Sequence, residues 1–223
     1  MNPAVLALFD LDHTLLPRDT DAQWIEFLLD QGRLDPCVFE VANRDLAARY
    51  ERGEAGLLEY TEFYLSTLVP FDAQELAQLH AQFMAERVVP IIPDAARALI
   101  AKHRNLGHLL VLTTATSRFL TAPVARELGF EHHIATEPEM KEGRFTGRVA
   151  GTPNMREGKI ERLLEWLAAR GLNLSDFRES WFYSDSNNDL PLLSHVTHPV
   201  AVNPDAVLAA HARYKGWPEI HLR

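Results

Sequence analysis

The sequence predicts an α/β fold: a Rossmann-like parallel sheet with helices on both faces, interrupted by an inserted helical segment. Three observations carry this reading. Four short apolar runs each stop at polar residues on their C-terminal side, helical patterns separate the later runs, and residues 17–87 contain no such run. Strands covered on both faces read as continuous apolar stretches. Strands alternating with helices make a parallel sheet.

The first run, Ala4-Val5-Leu6-Ala7-Leu8-Phe9, ends abruptly in Asp10-Leu11-Asp12. In the following insertion, Trp24, Phe27 and Leu28 share one helical face, as do Leu76, Leu79 and Phe83, and Asp72 with Glu75 forms a variant capping box. A helix over Ala95–Arg104 precedes the second run, Leu109-Leu110-Val111-Leu112, which ends in Thr113-Thr114. Leu120–Leu128 reads as a helix stopped by Gly129, and Lys141-Glu142-Gly143-Arg144 as a hairpin turn between two β-prone pieces. Arg156–Arg170 places Ile160, Leu163, Leu164 and Leu167 on one helical face, with Gly171 as the stop. The third run, Trp181-Phe182-Tyr183, ends in Ser184-Asp185, and the fourth, His198–Val202, in Asn203-Pro204.

The chain has 223 residues, enough for a core without staples, and its 22 basic against 31 acidic side chains give a net charge of −9. That balance argues against a nucleic-acid or anionic-membrane partner, both of which demand clustered Lys and Arg. One cysteine, Cys37, excludes an intrachain disulfide and a Cys-rich zinc site, and is expected to be a buried, inert thiol. No apolar run approaches a membrane span and no basic leader opens the chain, so a cytoplasmic protein is expected. The sequence carries no signal for oligomeric state.

In open α/β sheets ligands bind beyond the carboxyl ends of the strands, where these polar residues would converge. Asp10 and Asp12 can approach one ligand from a strand end, although a lone D-x-D is also a common helix-capping turn. Ser184-Asp185-Ser186-Asn187-Asn188-Asp189 adds two carboxylates after another strand. Acidic oxygens gathered at one sheet edge suit a hard cation such as Mg²⁺. Thr114, at a strand end before a turn with free N–H groups, and Lys159, at a helix start, suit an anion. Each of these two, taken alone, also reads as an ordinary strand-end hydroxyl or surface lysine.

Asp10-Leu11-Asp12-His13-Thr14-Leu15-Leu16, Thr114-Ala115-Thr116, Lys159 and Asp185–Asp189 together resemble the four ordered motifs of the haloacid dehalogenase superfamily. The likeness is to its phosphoserine-phosphatase-like branch, which carries a helical cap after the first motif. It implies an α/β core of residues 1–16 and 88–223 with a helical cap domain of 17–87. It also implies a Mg²⁺-dependent phosphatase for a small phosphorylated metabolite. Asp10 would be the nucleophile that becomes an aspartyl phosphate, and Asp12 the general acid and then base. Asp10, Asp12 (through its main-chain carbonyl), Asp185 and Asp189 would serve the metal, with Asp189 acting through water or instead orienting Lys159. Thr114, Ala115, Lys159 and Asn188 would hold the phosphate.

By the same resemblance Asp19 is the candidate for binding a substrate ammonium, although Asp19-Thr20 also reads as a helix start. Ala115-Thr116 stands where the branch usually has glycines, and its carboxylate-binding arginine has three candidates here, Arg44, Arg49 and Arg52. These departures favour an amino-alcohol or amino-acid-related phosphate, such as histidinol phosphate or phosphoserine, without choosing one. His13 is expected in a structural or supporting role. His132 and His133 face opposite ways on a strand and are expected to be structural. A phosphotransferase such as a phosphomutase, and a catalytically silent binding protein, are the competing functions. Retention of Asp10, Asp12, Lys159, Asp185 and Asp189 speaks against the silent one.

Overall fold

The computed structural model describes residues 5–52 and 54–222; Ala4, in the first apolar run, lies outside them. Each apolar run becomes a strand: β1 (Val5–Phe9), β2 (Leu109–Ser117), β5 (Glu179–Ser184) and β6 (His198–Val202). The β-prone pieces form β3 (His132–Lys141) and β4 (Arg144–Ala150), and β7 (Glu219–Ile220) closes the far edge. The sheet order is β4-β3-β2-β1-β5-β6-β7. All neighbours are parallel except β3 and β4, which run antiparallel. β1 therefore lies between β2 and β5, at the point where the winding reverses and a crevice opens.

The five residues of β1 are all buried, with alternating side chains feeding two cores. Ala7 and Phe9 join a cluster with Ala96 and Ile100 of α5 (Asp94–Asn105) and Leu120 and Val124 of α6 (Arg118–Glu127). Leu6 and Leu8 join the opposite cluster. It contains Leu163 and Leu167 of α7 (Glu157–Ala168), Leu192 and Leu193 of α8 (Leu190–Leu193), and Leu208 and Ala212 of α9 (Ala206–Lys215). Helices thus cover both faces, as the alternating pattern predicts.

Between β1 and α5 come α1 (Thr20–Asp30), α2 (Pro36–Glu51), α3 (Leu57–Ser66) and α4 (Ala73–Phe83), with no strand among the described residues. The expected capping box starts α4: the Asp72 carboxylate accepts from the Gln74 and Glu75 amides, and Glu75 accepts from the Asp72 amide. Trp24 meets Phe83 and Phe119 edge-on, at 5.2 and 6.0 Å between ring centres. His80 Nε2 lies 3.1 Å from the Leu120 carbonyl as its donor, so α1 and α4 are fastened to α6. α3 docks on the β3–β4 arm. A Cβ on Gly147 would meet Ser66 Cα and Val69 Cγ2 at 3.2 Å, and the Val149 amide donates to Glu62 at 3.3 Å. Gly147 is doubly required, because its φ of +80° also disfavours a side chain.

Cys37 corrects an expectation: it is exposed. Phe39 is the residue of the first turns of α2 that turns inward, 5.0 Å from Phe63. Cys37 lies two positions away, about 200° around a helix of 3.6 residues per turn, and so faces outward.

Candidate active site

The crevice beyond the ends of β1, β2 and β5 holds a cavity of about 310 Å³. Asp10 follows the last residue of β1, and its amide extends the ladder by donating to the Tyr183 carbonyl of β5 at 2.9 Å. Its carboxylate is buried. Lys159 Nζ donates to Oδ1 at 2.8 Å and the Thr14 hydroxyl to Oδ2 at 3.0 Å. Lys159, only 2% exposed, also donates to Asp189 Oδ2 at 2.7 Å, an oxygen shared with the Ser184 hydroxyl at 2.6 Å. α7 thus delivers its lysine from the sheet's second face into the space between two strand ends. Burial opposes the Lys159 charge, but Asp10 and Asp189 together raise its pKa, so it remains an ammonium.

Asp12 turns away from Asp10. Its Oδ1 accepts from the Thr20 amide at 2.8 Å and from the Thr20 hydroxyl, and its Oδ2 from the Thr116 hydroxyl at 2.7 Å. Burial, aided by neighbouring Asp19, pushes its carboxyl up to about 7 in spite of these donors. A carboxyl poised there can give and take a proton near neutrality.

Asp185 approaches Asp10 through one hydroxyl: Thr14 Oγ1 lies 3.1 Å from Asp185 Oδ1 and accepts from the Asp185 amide at 3.0 Å. A hydroxyl has one proton and serves only one of the two carboxylates at a time. Burial, then the charge of Asp10, raises Asp185 to about 8. Among the described residues lining the cavity are six aspartates (10, 12, 19, 21, 185 and 189) against Lys159 and Arg156. An anionic substrate could enter such a field only if a cation accompanied it, and the Asp10 and Asp185 carboxylates, joined through Thr14, are the pair that would hold one. Among the described residues no three His, Cys, Asp or Glu side chains form a ready-made metal cage. Two carboxylates plus carbonyl and water oxygens are what Mg²⁺ accepts, so the residues fit that ion. Of the four aspartates expected at a metal, Asp10 and Asp185 come together. The Asp12 side chain is directed to Thr20 and Thr116, and that of Asp189 to Lys159 and Ser184.

Thr114, Ala115 and Asn188 all line the cavity. β2 continues through Ser117, so Thr114 and Ala115 lie on an extended strand end with a register shift rather than in the expected turn. The Thr116 amide is also not free; it donates to Thr114 Oγ1 at 3.2 Å. Asn154, wholly buried, fixes this segment: its Nδ2 donates to Thr113 Oγ1 at 3.0 Å and to the Thr114 carbonyl at 2.8 Å. Asn188 Oδ1 accepts from Arg156 Nε at 3.1 Å. His13 lines the cavity with a left-handed φ of 58°. His133 Nε2 lies 3.0 Å from the Thr121 hydroxyl and His132 packs on Trp166, both outside the cavity lining.

Asp19 is the N-cap of α1, its Oδ1 accepting from the Ala22 amide at 2.7 Å, and it also lines the cavity. Asp21 lines it too, in the first turn of α1, with burial and then the charges of Asp19 and Asp12 raising its pKa well above the ordinary carboxylate range. Leu57, Tyr60, Thr61 and Tyr64 of α3 form the roof, one face of that helix at spacings of three and four. Arg44, Arg49 and Arg52 are not in the described lining. Arg49 pairs with Glu59 and Arg52 with Glu54. Sequence reasoning did not assign Thr20, Asp21, Asn154, Arg156 or the tyrosines to the site; the roof spacing was readable, but not which way that helix faces.

A buried carboxylate beside a buried lysine, at a sheet's switch point and under a helical insertion, defines a class: α/β proteins that take a ligand beyond the carboxyl ends of their strands. The profile of the haloacid dehalogenase-like hydrolases matches residues 7–194. A relative from Neisseria meningitidis serogroup C, named histidinol-phosphatase, is 40% identical across 98% of this chain and 99% of its own. A crystal structure from Bordetella pertussis Tohama I, of a protein described as having unknown function, is 48% identical over both full chains, with a TM-score of 0.95. A substrate-bound phosphoserine phosphatase shares the fold at 16% identity, with a TM-score of 0.65 over 100% of this chain and 94% of its own. The chain belongs to the haloacid dehalogenase-like hydrolase family. Its activity is that of a phosphatase. Among the described residues no helix is long and apolar enough to cross a membrane.

Proposed function

We propose that the protein is a Mg²⁺-dependent phosphatase of a small, amine-bearing phosphate monoester, histidinol phosphate being the leading candidate, acting through an aspartyl phosphate in the cytoplasm. The observation that carries this is Asp10: a buried carboxylate at the switch point, held by Lys159, opening on a cavity whose other wall is Asp12. Residues 17–87 serve as the cap domain over a core of 1–16 and 88–223, and put the α3 roof above the strand ends.

In the proposed reaction an Asp10 carboxylate oxygen attacks phosphorus while the bond to the leaving oxygen breaks. Asp12 gives its proton to that oxygen, releasing the alcohol. A water then attacks the aspartyl phosphate, Asp12 takes its proton, and the P–O bond to Asp10 breaks, releasing phosphate and restoring both aspartates. Thr20 and Thr116 keep Asp12 aimed at the leaving group. Lys159, Thr114 and the Ala115 and Asn188 region hold the other phosphoryl oxygens, supplying charge and position. Asp189 holds Lys159. Mg²⁺, bound by Asp10, Asp185 and the Asp12 main-chain carbonyl, would supply charge neutralisation for the phosphoryl group.

An amine is favoured by the acidic wall of Asp19 and Asp21. A substrate carboxylate is disfavoured, because Arg156 is the one cation besides Lys159 among the described lining residues, and it is bonded to Asn188. The 40% identity to the Neisseria histidinol-phosphatase points the same way. The single exposed thiol suits a reducing compartment.

The test is phosphate release from histidinol phosphate, phosphoserine and para-nitrophenyl phosphate, with Mg²⁺ and with EDTA, in ¹⁸O water. Release is expected only with Mg²⁺, fastest from histidinol phosphate and carrying the label, and absent in Asp10→Asn with an unchanged melting temperature. Turnover by Asp10→Asn would remove the nucleophile from the scheme; unlabelled phosphate would indicate transfer to another hydroxyl.

A further inference from the structure

We propose that Arg156 is a second phosphate-binding cation of the site, whose guanidinium takes a non-transferred oxygen of the phosphate ester at the solvent side of the cavity. This rests on the phosphate site of the phosphatase reading above, and adds to it a residue outside the four motifs.

Arg156 is exposed, yet it lines the same cavity as Asp10 and the buried Lys159. Six aspartates line that cavity with it, and among the described residues it forms an ion pair with none of them. Its bond is to a neutral amide instead: Nε donates to Asn188 Oδ1 at 3.1 Å. A guanidinium is a rigid fork of N–H donors with no acceptor. Those on Nη1 and Nη2 have no partner among the described residues, so the positive charge is held in place and left unneutralised. The same bond sets the Asn188 amide. Its oxygen is taken by Arg156, and its Nδ2, without a partner among the described residues, remains as a donor. Two adjoining groups that offer only donors suit an anion, and the guanidinium fork matches phosphate oxygens.

The backbone supports the same assignment. Arg156 has a φ of 51° and a ψ of −126°, a combination that glycine adopts freely and a residue with a Cβ does not. Its side chain makes no capping bond to α7, the helix that it precedes. Neither the turn nor the helix therefore calls for arginine at 156, and glycine would serve both better. Backbone strain that a fold retains in this way gathers at ligand clamps. The chain also carries a net charge of −9. An exposed cation among the lining aspartates is what draws a phosphate dianion toward Lys159 against that field.

The experiment titrates inorganic phosphate into the Mg²⁺-loaded protein by calorimetry and follows para-nitrophenyl phosphate hydrolysis, in the wild type, Arg156→Gln, Arg156→Lys and Arg156→Gly. A charge-assisted hydrogen bond made at a solvent-open position belongs at the low end of its range, so Arg156→Gln should bind phosphate roughly tenfold more weakly. KM should rise by a similar factor with kcat within about threefold, because the contact is the same before and during phosphoryl transfer. Arg156→Lys keeps the charge without the fork and should recover part of the loss. Arg156→Gly should lose as much affinity as Arg156→Gln, while its melting temperature holds or rises by a few degrees as the backbone relaxes. The loss should persist in about 0.5 M NaCl, where a charge acting only from a distance is screened. Phosphate affinity of Arg156→Gln within about twofold of wild type overturns the inference, as does a loss confined to low salt or to Arg156→Gly. A wild type that binds phosphate through Arg156 but hydrolyses no ester would instead overturn the catalytic scheme.

Discussion

Gly158→Ala is a one-methyl probe of how closely the lysine of the site depends on backbone packing. Gly158 precedes Lys159 in the first turn of α7. A Cβ there would lie 2.2 Å from the Pro153 carbonyl oxygen and 3.3 Å from Thr152 Cγ2. Carbon and oxygen need about 3.3 Å, so α7 and the 152–153 segment must part by about 1 Å. The Pro153 oxygen is backbone, and no rotamer change relieves the clash with it. Lys159 reaches its two aspartates at 2.8 and 2.7 Å, and a shift of that size breaks at least one bond. A 1 Å misplacement near a reacting centre costs about 10²-fold, equivalent to roughly 2.7 kcal/mol in the barrier. Overpacking adds a stability loss of about 1–3 kcal/mol, or about 2–4 °C in Tm per kcal/mol for a chain of this size. Phosphate release from para-nitrophenyl phosphate and a thermal melt read both effects. Gly56→Ala is the control: its φ is −107° and an added Cβ meets nothing within 4 Å. A Gly158→Ala enzyme with kcat/KM within threefold of wild type would refute the reasoning.

Lys159→Met leaves Asp10 and Asp189 buried without their cation; a loss of about 3–5 kcal/mol in urea unfolding is expected, with phosphate no longer competing as an inhibitor. Stability equal to wild type would mean that the lysine contributes little to holding the strand ends. The third prediction concerns acid. His103 lies in the core, Nε2 2.8 Å from the Tyr183 hydroxyl and Nδ1 2.8 Å from His108 Nδ1, and burial pushes it down to about 4. Between about pH 6.5 and 4 the unfolded chain binds a proton there that the folded chain does not. Stability from this residue is therefore full above pH 6.5 and is lost as the pH falls toward 4. His103→Gln should flatten the Tm profile over that window, and a parallel profile would count against it.

What could be read in advance follows the physics of burial. β1, β2, β5 and β6 are covered on both faces and announce themselves as unbroken apolar runs. β3 and β4 form a half-exposed arm whose length the short β-prone pieces did not reveal. Cys37 was misjudged because residue type, without the facing of α2, does not decide exposure. Asp10, Asp12 and Asp185 stood out because charge at the end of an apolar segment is costly without a purpose, whereas Lys159 gained weight only from its place in the order of motifs. Thr20, Thr116 and Asn154 act through hydrogen bonds to residues outside their own elements, and no periodicity marks such residues. Gly158 matters through a contact with carbonyl oxygen, which leaves no chemical signature in a string of letters.

The roof helix α3 rests on the β3–β4 arm at Gly147 and Glu62, and neither segment contributes to the sheet's central strands. In the proposed reading, the roof over the leaving group is in this way held apart from the strand ends that would carry out the phosphoryl chemistry. The joint can be retuned, by a longer hairpin, to admit other alcohols while the strand ends keep their spacing. A fold arranged like this offers new substrate ranges through changes at its periphery.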